Sequence, residues 1–207
     1  MKETSLTAHD KDIREPLFEY LEDRYGKVRI IEEKRAGKAR ADVVMVTPDA
    51  IYGVEIKSDK DTYTRLEGQV KNYNLYFDYN IVAVGSTHAA HIKEYVPEWW
   101  GIITIEEIDG TLDFYMLREA KKNPKVKDER KISILWRPEL ARVQEINGLP
   151  KYKEKSKLFV QKKLLEKVPH DLLWKQVSEE LFQRDYNTIE QEIEGFRRRK
   201  TDGNMVL

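Results

Sequence analysis

From Tyr52 to Lys57 the chain alternates: Tyr52, Val54 and Ile56 fall on one side, and Gly53, Glu55 and Lys57 on the other. That is the period of a half-buried strand. The segment before it, ADVVMV (41–46), is apolar on both sides apart from Asp42 and predicts a second strand, joined through Thr47-Pro48-Asp49-Ala50. The Pro-Asp pair is a turn signal. Upstream, Ile13, Leu17, Tyr20 and Leu21 form a helical stripe that Gly26 ends. Pro16 fits only the first turn of that helix, so a start near Ile13 or Arg14 is expected. KVRIIEE (27–33) reads as the first strand and EKRAGKAR (33–40) as a basic loop.

After Asp61, the stretch TYTRLEGQVKNYNLYF (62–77) predicts a helix, with Tyr63, Leu66, Val70, Tyr73 and Phe77 at helical spacing and Gly68 a weak point among them. NIVAVGS (80–86) is a short apolar strand, and HAAHIKEYVPE (88–98) a short helix ended by Pro97. GIITIEE and TLDFYML are two strands about the turn IDGT. Helix, three strands, helix, strand, helix and two strands make a mixed α/β layer sandwich. From Arg118 the pattern changes. REAKKNPKVKDERK (118–131) reads as a linker, and three helical segments follow it, at 132–146, 156–168 and 170–186. The expected organisation is a first domain over 1–117 and a helical C-terminal region over 118–207.

Composition narrows the chemistry. The 207 residues suffice for one substantial core plus a small module. There is no cysteine, which excludes disulfides, zinc–thiolate sites and thiol nucleophiles. His88 and His91 could share a helix face, but two histidines without a further ligand make a poor zinc site. No apolar run reaches the roughly 18 residues of a membrane span, and the polar start MKETSLTAHDKD carries no targeting pattern, so a cytoplasmic location without membrane association is expected. The net charge of zero hides an asymmetry. Residues 1–117 carry 15 Lys+Arg against 22 Asp+Glu, a net −7, and residues 118–207 carry 22 against 15, a net +7. A basic half is suited to a polyanion.

The hairpin about Pro48-Asp49 organises the candidate chemistry. If the loop is symmetric, Val46 faces Ile51 and Asp42 falls opposite Glu55. Opposed residues of an antiparallel pair share a face with Cβ atoms roughly 4.5–5.5 Å apart, and Lys57 lies on that face too. Two carboxylates so placed repel unless a proton or cation lies between them. Hard oxygen donors with retained waters suit Mg²⁺, and a nearby ammonium can stabilise charge on a phosphate or orient an attacking water. This is metal-assisted phosphodiester hydrolysis in outline. The bland alternative is an edge strand on which Glu55 and Lys57 simply point to water.

Asp42 followed after a hairpin by Glu55-Ile56-Lys57 resembles the signature of the PD-(D/E)XK nuclease superfamily, over about residues 13–106. The resemblance implies a restriction-endonuclease-like αβββαβ core, a mixed sheet flanked by helices, here with a C-terminal helical extension. Asp42, Glu55 and the carbonyl of Ile56 would hold Mg²⁺, with Mn²⁺ as a substitute, and Lys57 would be the catalytic lysine. Gln69 and Tyr73 match the Q-x-x-x-Y element of the RecB-like branch, which positions substrate. Glu15 resembles the first-helix glutamate of the resolvase branch, which assists the metal. Ala41 stands where the signature has proline.

Lys34, Arg35, Lys38 and Arg40, just before Asp42, are candidates to meet DNA phosphates. The expected function is Mg²⁺-dependent DNA hydrolysis in repair, recombination or phage and mobile-element defence. RNA stays open as a substrate, and a homodimer is compatible with the resolvase branch. The alternative from another class is a non-catalytic nucleic-acid-binding or assembly module that keeps the fold.

Overall fold

A computed structural model describes residues 10–36, 39–59 and 61–184; the side chains of 10, 11 and 33–40 lie outside that description. The chain divides into two compact units between Ile134 and Leu135.

The first unit is built on a six-stranded mixed sheet in the order β1-β2-β3-β4-β5-β6. Its strands are β1 (Arg29–Ala36), β2 (Ala39–Val46), β3 (Ile51–Lys57), β4 (Tyr79–Gly85), β5 (Gly101–Ile108) and β6 (Thr111–Arg118). β4 runs parallel to both β3 and β5, and the other neighbouring pairs are antiparallel. α1 (Asp10–Tyr25) precedes the sheet, and α2 (Leu66–Tyr76), preceded by a 3-10 turn (Tyr63–Arg65), crosses from β3 to β4. Two short helical segments, α3 (Ser86–Ala89) and α4 (Ile92–Tyr95), cross from β4 to β5, and α5 (Asp128–Lys131) follows β6. The expected single helix over 88–98 is therefore two short ones.

Alternation in the strands sorts the sheet into two faces. Val43, Met45, Val54, Ile56, Ile81, Ala83, Ile103 and Ile105 pack with Ile13, Leu17 and Leu21 of α1. The opposite face takes α2. Gly53 makes this possible: a Cβ there would overlap the Phe77 ring and lie 2.7 Å from the Tyr73 ring. A glycine inside a strand often marks such a close approach. β3 and β4 are central and covered on both faces, which accounts for the near-continuous apolar run of β4.

Several sequence expectations are corrected. α1 begins at Asp10, so Pro16 lies inside it; the buried stripe of Ile13, Leu17 and Leu21 holds the helix across the hydrogen bond that proline removes. The basic loop is shorter than expected, because β1 and β2 extend into it and pair as Lys34↔Ala41, Arg35↔Arg40 and Ala36↔Ala39. The edge-strand alternative fails, since β3 has a paired neighbour on each side.

The segment after β6 is not a linker. Asn123, 2% exposed, donates from Nδ2 to the carbonyls of Asn74 and Phe77, each at 2.8 Å. Lys131 Nζ donates to Asp78 Oδ1 at 2.7 Å, and Asp78 Oδ2 accepts the Ile51 N–H at 2.9 Å. The chain accordingly divides after Ile134 rather than after Leu117, because these buried polar ties hold residues 119–134 in the first unit.

The second unit contains α6 (Arg137–Ile146), α7 (Lys157–Lys167) and α8 (His170–Phe182). Leu140, Val143, Val160, Leu164, Leu173 and Val177 are buried in it. Glu139 and Arg184 form a wholly buried ion pair, with two bonds at 2.6 and 2.7 Å. Trp174 is buried, and Trp136 lies under the Arg184 guanidinium at 4.5 Å.

Candidate active site

The hairpin between β2 and β3 is pinned at its turn. Thr47 N–H donates to the Ala50 carbonyl at 2.9 Å, and Ala50 N–H donates to Thr47 Oγ1 at 3.1 Å. Val46 then pairs with Ile51, and the register runs through Met45↔Tyr52 and Val44↔Gly53 to Val43↔Val54. The ladder ends there, one position short of Asp42 and Glu55: Tyr73 Oη lies between the strands, 3.3 Å from the Asp42 nitrogen and 3.4 Å from the Val54 carbonyl oxygen.

Side chains bridge the two strands beyond the ladder. Asp42 Oδ2 accepts the Ile56 N–H at 3.0 Å, so the aspartate reaches across to β3 beside Glu55. Lys57 Nζ donates to Glu55 Oε1 at 2.7 Å, and Glu55 is wholly buried while Lys57 is 5% exposed. Gln69 Nε2 donates to the same Oε1. Tyr73 Oη donates to Glu55 Oε2 at 2.6 Å and accepts the Asp42 N–H at 3.3 Å. Gln69 and Tyr73 lie one turn apart on α2, and so reach one carboxylate together. Burial first, then the nearby charges of Glu55 and Asp42, push the Tyr73 phenol well above its ordinary pKa, which keeps it a donor.

Burying Glu55 and Lys57 is sustainable because each offsets the other and two further donors reach the carboxylate. The donor set suits a hard cation: two carboxylates from facing strands, with the Ile56 backbone between Glu55 and Lys57. Gln69 Oε1 is buried with no hydrogen-bond partner among the described residues, an unfilled acceptor beside the carboxylates. These residues fit Mg²⁺, which takes few protein ligands and retains water. No cluster of three or more His, Asp or Glu side chains suited to a metal is present among the described residues.

Other candidates are placed differently. Glu15 is exposed on α1, whose buried stripe faces the opposite side of the sheet, and no contact among the described residues joins it to Asp42, Glu55 or Lys57. Lys38 and the side chains of Lys34, Arg35 and Arg40 lie outside the described residues. The sequence reading missed Gly53 as a positioning element, although a glycine in a strand was a signal for it. It also missed the loop after Lys57. There Asp61 Oδ2 accepts from Ser58 N–H at 2.8 Å and from Oγ at 2.9 Å, and His88 Nε2 lies 3.1 Å from the Ser58 carbonyl oxygen. No spacing in the sequence pairs His88 with Ser58.

No curated protein matches this chain. A structure of Pyrococcus furiosus SfsA in complex with Ca²⁺ is similar over 56% of this chain, at 12% identity and a TM-score of 0.34. The chain spans 63% of that protein's length. The model of the bacteriophage P4 protein cII family matches residues 3–204, and the chain belongs to that family.

Proposed function

We propose that this chain is a Mg²⁺-dependent nuclease that hydrolyses DNA phosphodiester bonds on a restriction-endonuclease-like core. One observation carries the reading: Asp42, Glu55 and Lys57 converge from two strands, and Gln69 and Tyr73 of one helix are fastened to the same buried carboxylate. Asp42, Glu55 and the Ile56 carbonyl hold the ion, with Mn²⁺ as a substitute. Bound there, it supplies Lewis-acid polarisation of the phosphate and a more acidic water. Lys57 sets a positive charge beside the scissile phosphate and orients the attacking water. Gln69 and Tyr73 fix the Glu55 rotamer, so the carboxylate needs no rearrangement to act. Lys34, Arg35, Lys38 and Arg40, just before Asp42 in the sequence, are the cations assigned to backbone phosphates. Membership in a bacteriophage protein family fits a role in mobile elements.

The test is cleavage of plasmid and oligonucleotide DNA with Mg²⁺ or Mn²⁺ by wild type, Glu55→Ala and Lys57→Ala. Metal-dependent cleavage by wild type, lost in both variants, supports the reading. Cleavage that survives both substitutions places the chemistry elsewhere.

A second reading draws on the same network. Both Glu55 oxygens already accept hydrogen bonds from the protein, as a buried ion pair of a non-catalytic DNA-binding or assembly module would. That module binds DNA with steep salt dependence and turns nothing over with any divalent ion.

A further inference from the structure

Beyond Lys57 the loop leads to a group of aromatic side chains that the proposed chemistry does not use. His88, whose Nε2 touches the Ser58 carbonyl, has its ring 4.9 Å from that of Tyr63. Tyr63 in turn stacks on Tyr95 at 4.2 Å with the planes 27° apart. Tyr95 is 47% exposed. Three contacts thus connect the residue after Lys57 to an open aromatic ring.

The group lies where the parallel strands β3 and β4 end, at Lys57 and Gly85, and open α/β sheets hold ligands outside the carboxyl ends of their strands. Its cations are interleaved with its rings. The 3-10 turn carries Tyr63 and Arg65, and α4 carries Lys93 and Tyr95. Arg65 and Lys93 are exposed and make no ion pair among the described residues. The neighbouring acids Asp61 and Asp59 are engaged locally, with Ser58 and with Thr87, and Glu94 lies 3.9 Å from His91, an ion pair only when that imidazole is protonated. Aromatic faces alternating with cations along a surface bind unpaired nucleotides, since every base has a face to stack and every phosphate a charge. Paired bases are already stacked in a duplex and present no free face.

We infer that Tyr95, stacked on Tyr63, is a platform for an unpaired base of single-stranded DNA, with Arg65 and Lys93 meeting the adjoining phosphates. This deepens the proposed function, and rests on it for the link to the Asp42–Glu55–Lys57 site: the strand that reaches that site is a single or splayed one.

The experiment measures fluorescence anisotropy of a labelled oligothymidylate of about 12 nucleotides, a length within single-strand site sizes, and of a duplex of equal length. Chelator is present so that nothing is cleaved. Base stacking is worth about 1–3 kcal/mol, so Tyr95→Ala should weaken single-strand binding by roughly 5- to 150-fold. Tyr95→Trp should restore it, and duplex binding should change less than about twofold. Unchanged single-strand affinity in Tyr95→Ala, equal losses for strand and duplex, or no rescue by tryptophan each overturn the platform. Adding Mg²⁺ to the same oligonucleotide separates the two proposals. Binding that depends on Tyr95 without cleavage removes the hydrolytic reading and leaves the platform. Cleavage with binding indifferent to Tyr95 does the reverse.

Discussion

The Glu55–Lys57 pair makes a quantitative demand on stability. Glu55 is wholly buried, Lys57 is 5% exposed, and their charged atoms are 2.7 Å apart on a central strand. Removing one member of such a pair strands a charge in a poorly solvated place and costs about 3–5 kcal/mol. Removing both strands nothing. Glu55→Gln and Lys57→Met should each fall in that range, whereas the double variant should fall well short of their sum, with a coupling of at least about 2 kcal/mol. Native-state amide exchange on β3 is the fitting assay, because it reads the free energy of opening at the strand that carries the pair. Losses that add to within about 0.5 kcal/mol would refute the reasoning, for that is how an exposed pair behaves.

Further outcomes follow from neighbouring contacts. Tyr73→Phe removes a donor to a charged group in a buried place and should cost about 1.5–3 kcal/mol in urea unfolding. It should also change the alkaline limb. Above about pH 10 the unfolded chain ionises this tyrosine while the folded protein, with its phenol raised, keeps the proton. Wild-type stability therefore falls by about 1.4 kcal/mol per pH unit on its account, and the variant should lack that slope. Gly53→Ala drives a methyl into the Tyr73 and Phe77 rings; exchange protection should drop in both β3 and α2, and a variant as protected as wild type would show that α2 is not seated by that contact. In the second unit, Glu139→Ala leaves the buried Arg184 charge without its partner and should cost about 3–5 kcal/mol, read by the fluorescence of Trp136 beneath the guanidinium.

The legible parts of this chain were those set by local rules. The β2–β3 register followed from a symmetric two-residue turn, and it alone brought Asp42, Glu55 and Lys57 to one face. The β5–β6 hairpin followed from Asp109-Gly110, whose positive φ values of 50° and 79° suit the tight turn that the pairing Ile108↔Thr111 requires. What stayed hidden depended on distant partners. Residues 119–131 look like a linker because they are charged and contain proline, yet Asn123 and Lys131 are buried against Asn74 of α2 and against Phe77 and Asp78 in the turn between α2 and β4. A polar residue gives no local sign that its partner lies some fifty positions away. Pro16 misled in the opposite sense, since a local rule for helix starts yielded to the burial of three side chains. The sequence offers His88 only as half of a poor zinc pair and Tyr95 only as a helix residue, because the contacts that align them with Tyr63 span two strand-to-strand crossovers.

Gln69 holds the asymmetry that separates the two readings of the site. A carboxylate has about four acceptor positions, and Lys57, Gln69 and Tyr73 fill three of those on Glu55. A network kept only for structure gains by being completely satisfied. This one keeps an acceptor position on Glu55 Oε2 and a buried Oε1 on Gln69 that has no hydrogen-bond partner among the described residues, oxygens that the proposed cation would use. An orphaned buried acceptor costs about 1–3 kcal/mol, close to what the amide returns through its bond to a charged carboxylate. Gln69→Met removes both at once, so in chelator its stability should lie within about 1 kcal/mol of wild type. On the proposed function, Mg²⁺ should raise the thermal stability of wild type by binding the folded state, and the same variant should lose that gain. A large loss in chelator would mean that Oε1 has a partner in solution and that the network is complete without an ion; a Mg²⁺ shift equal to that of wild type would place the ion away from Gln69.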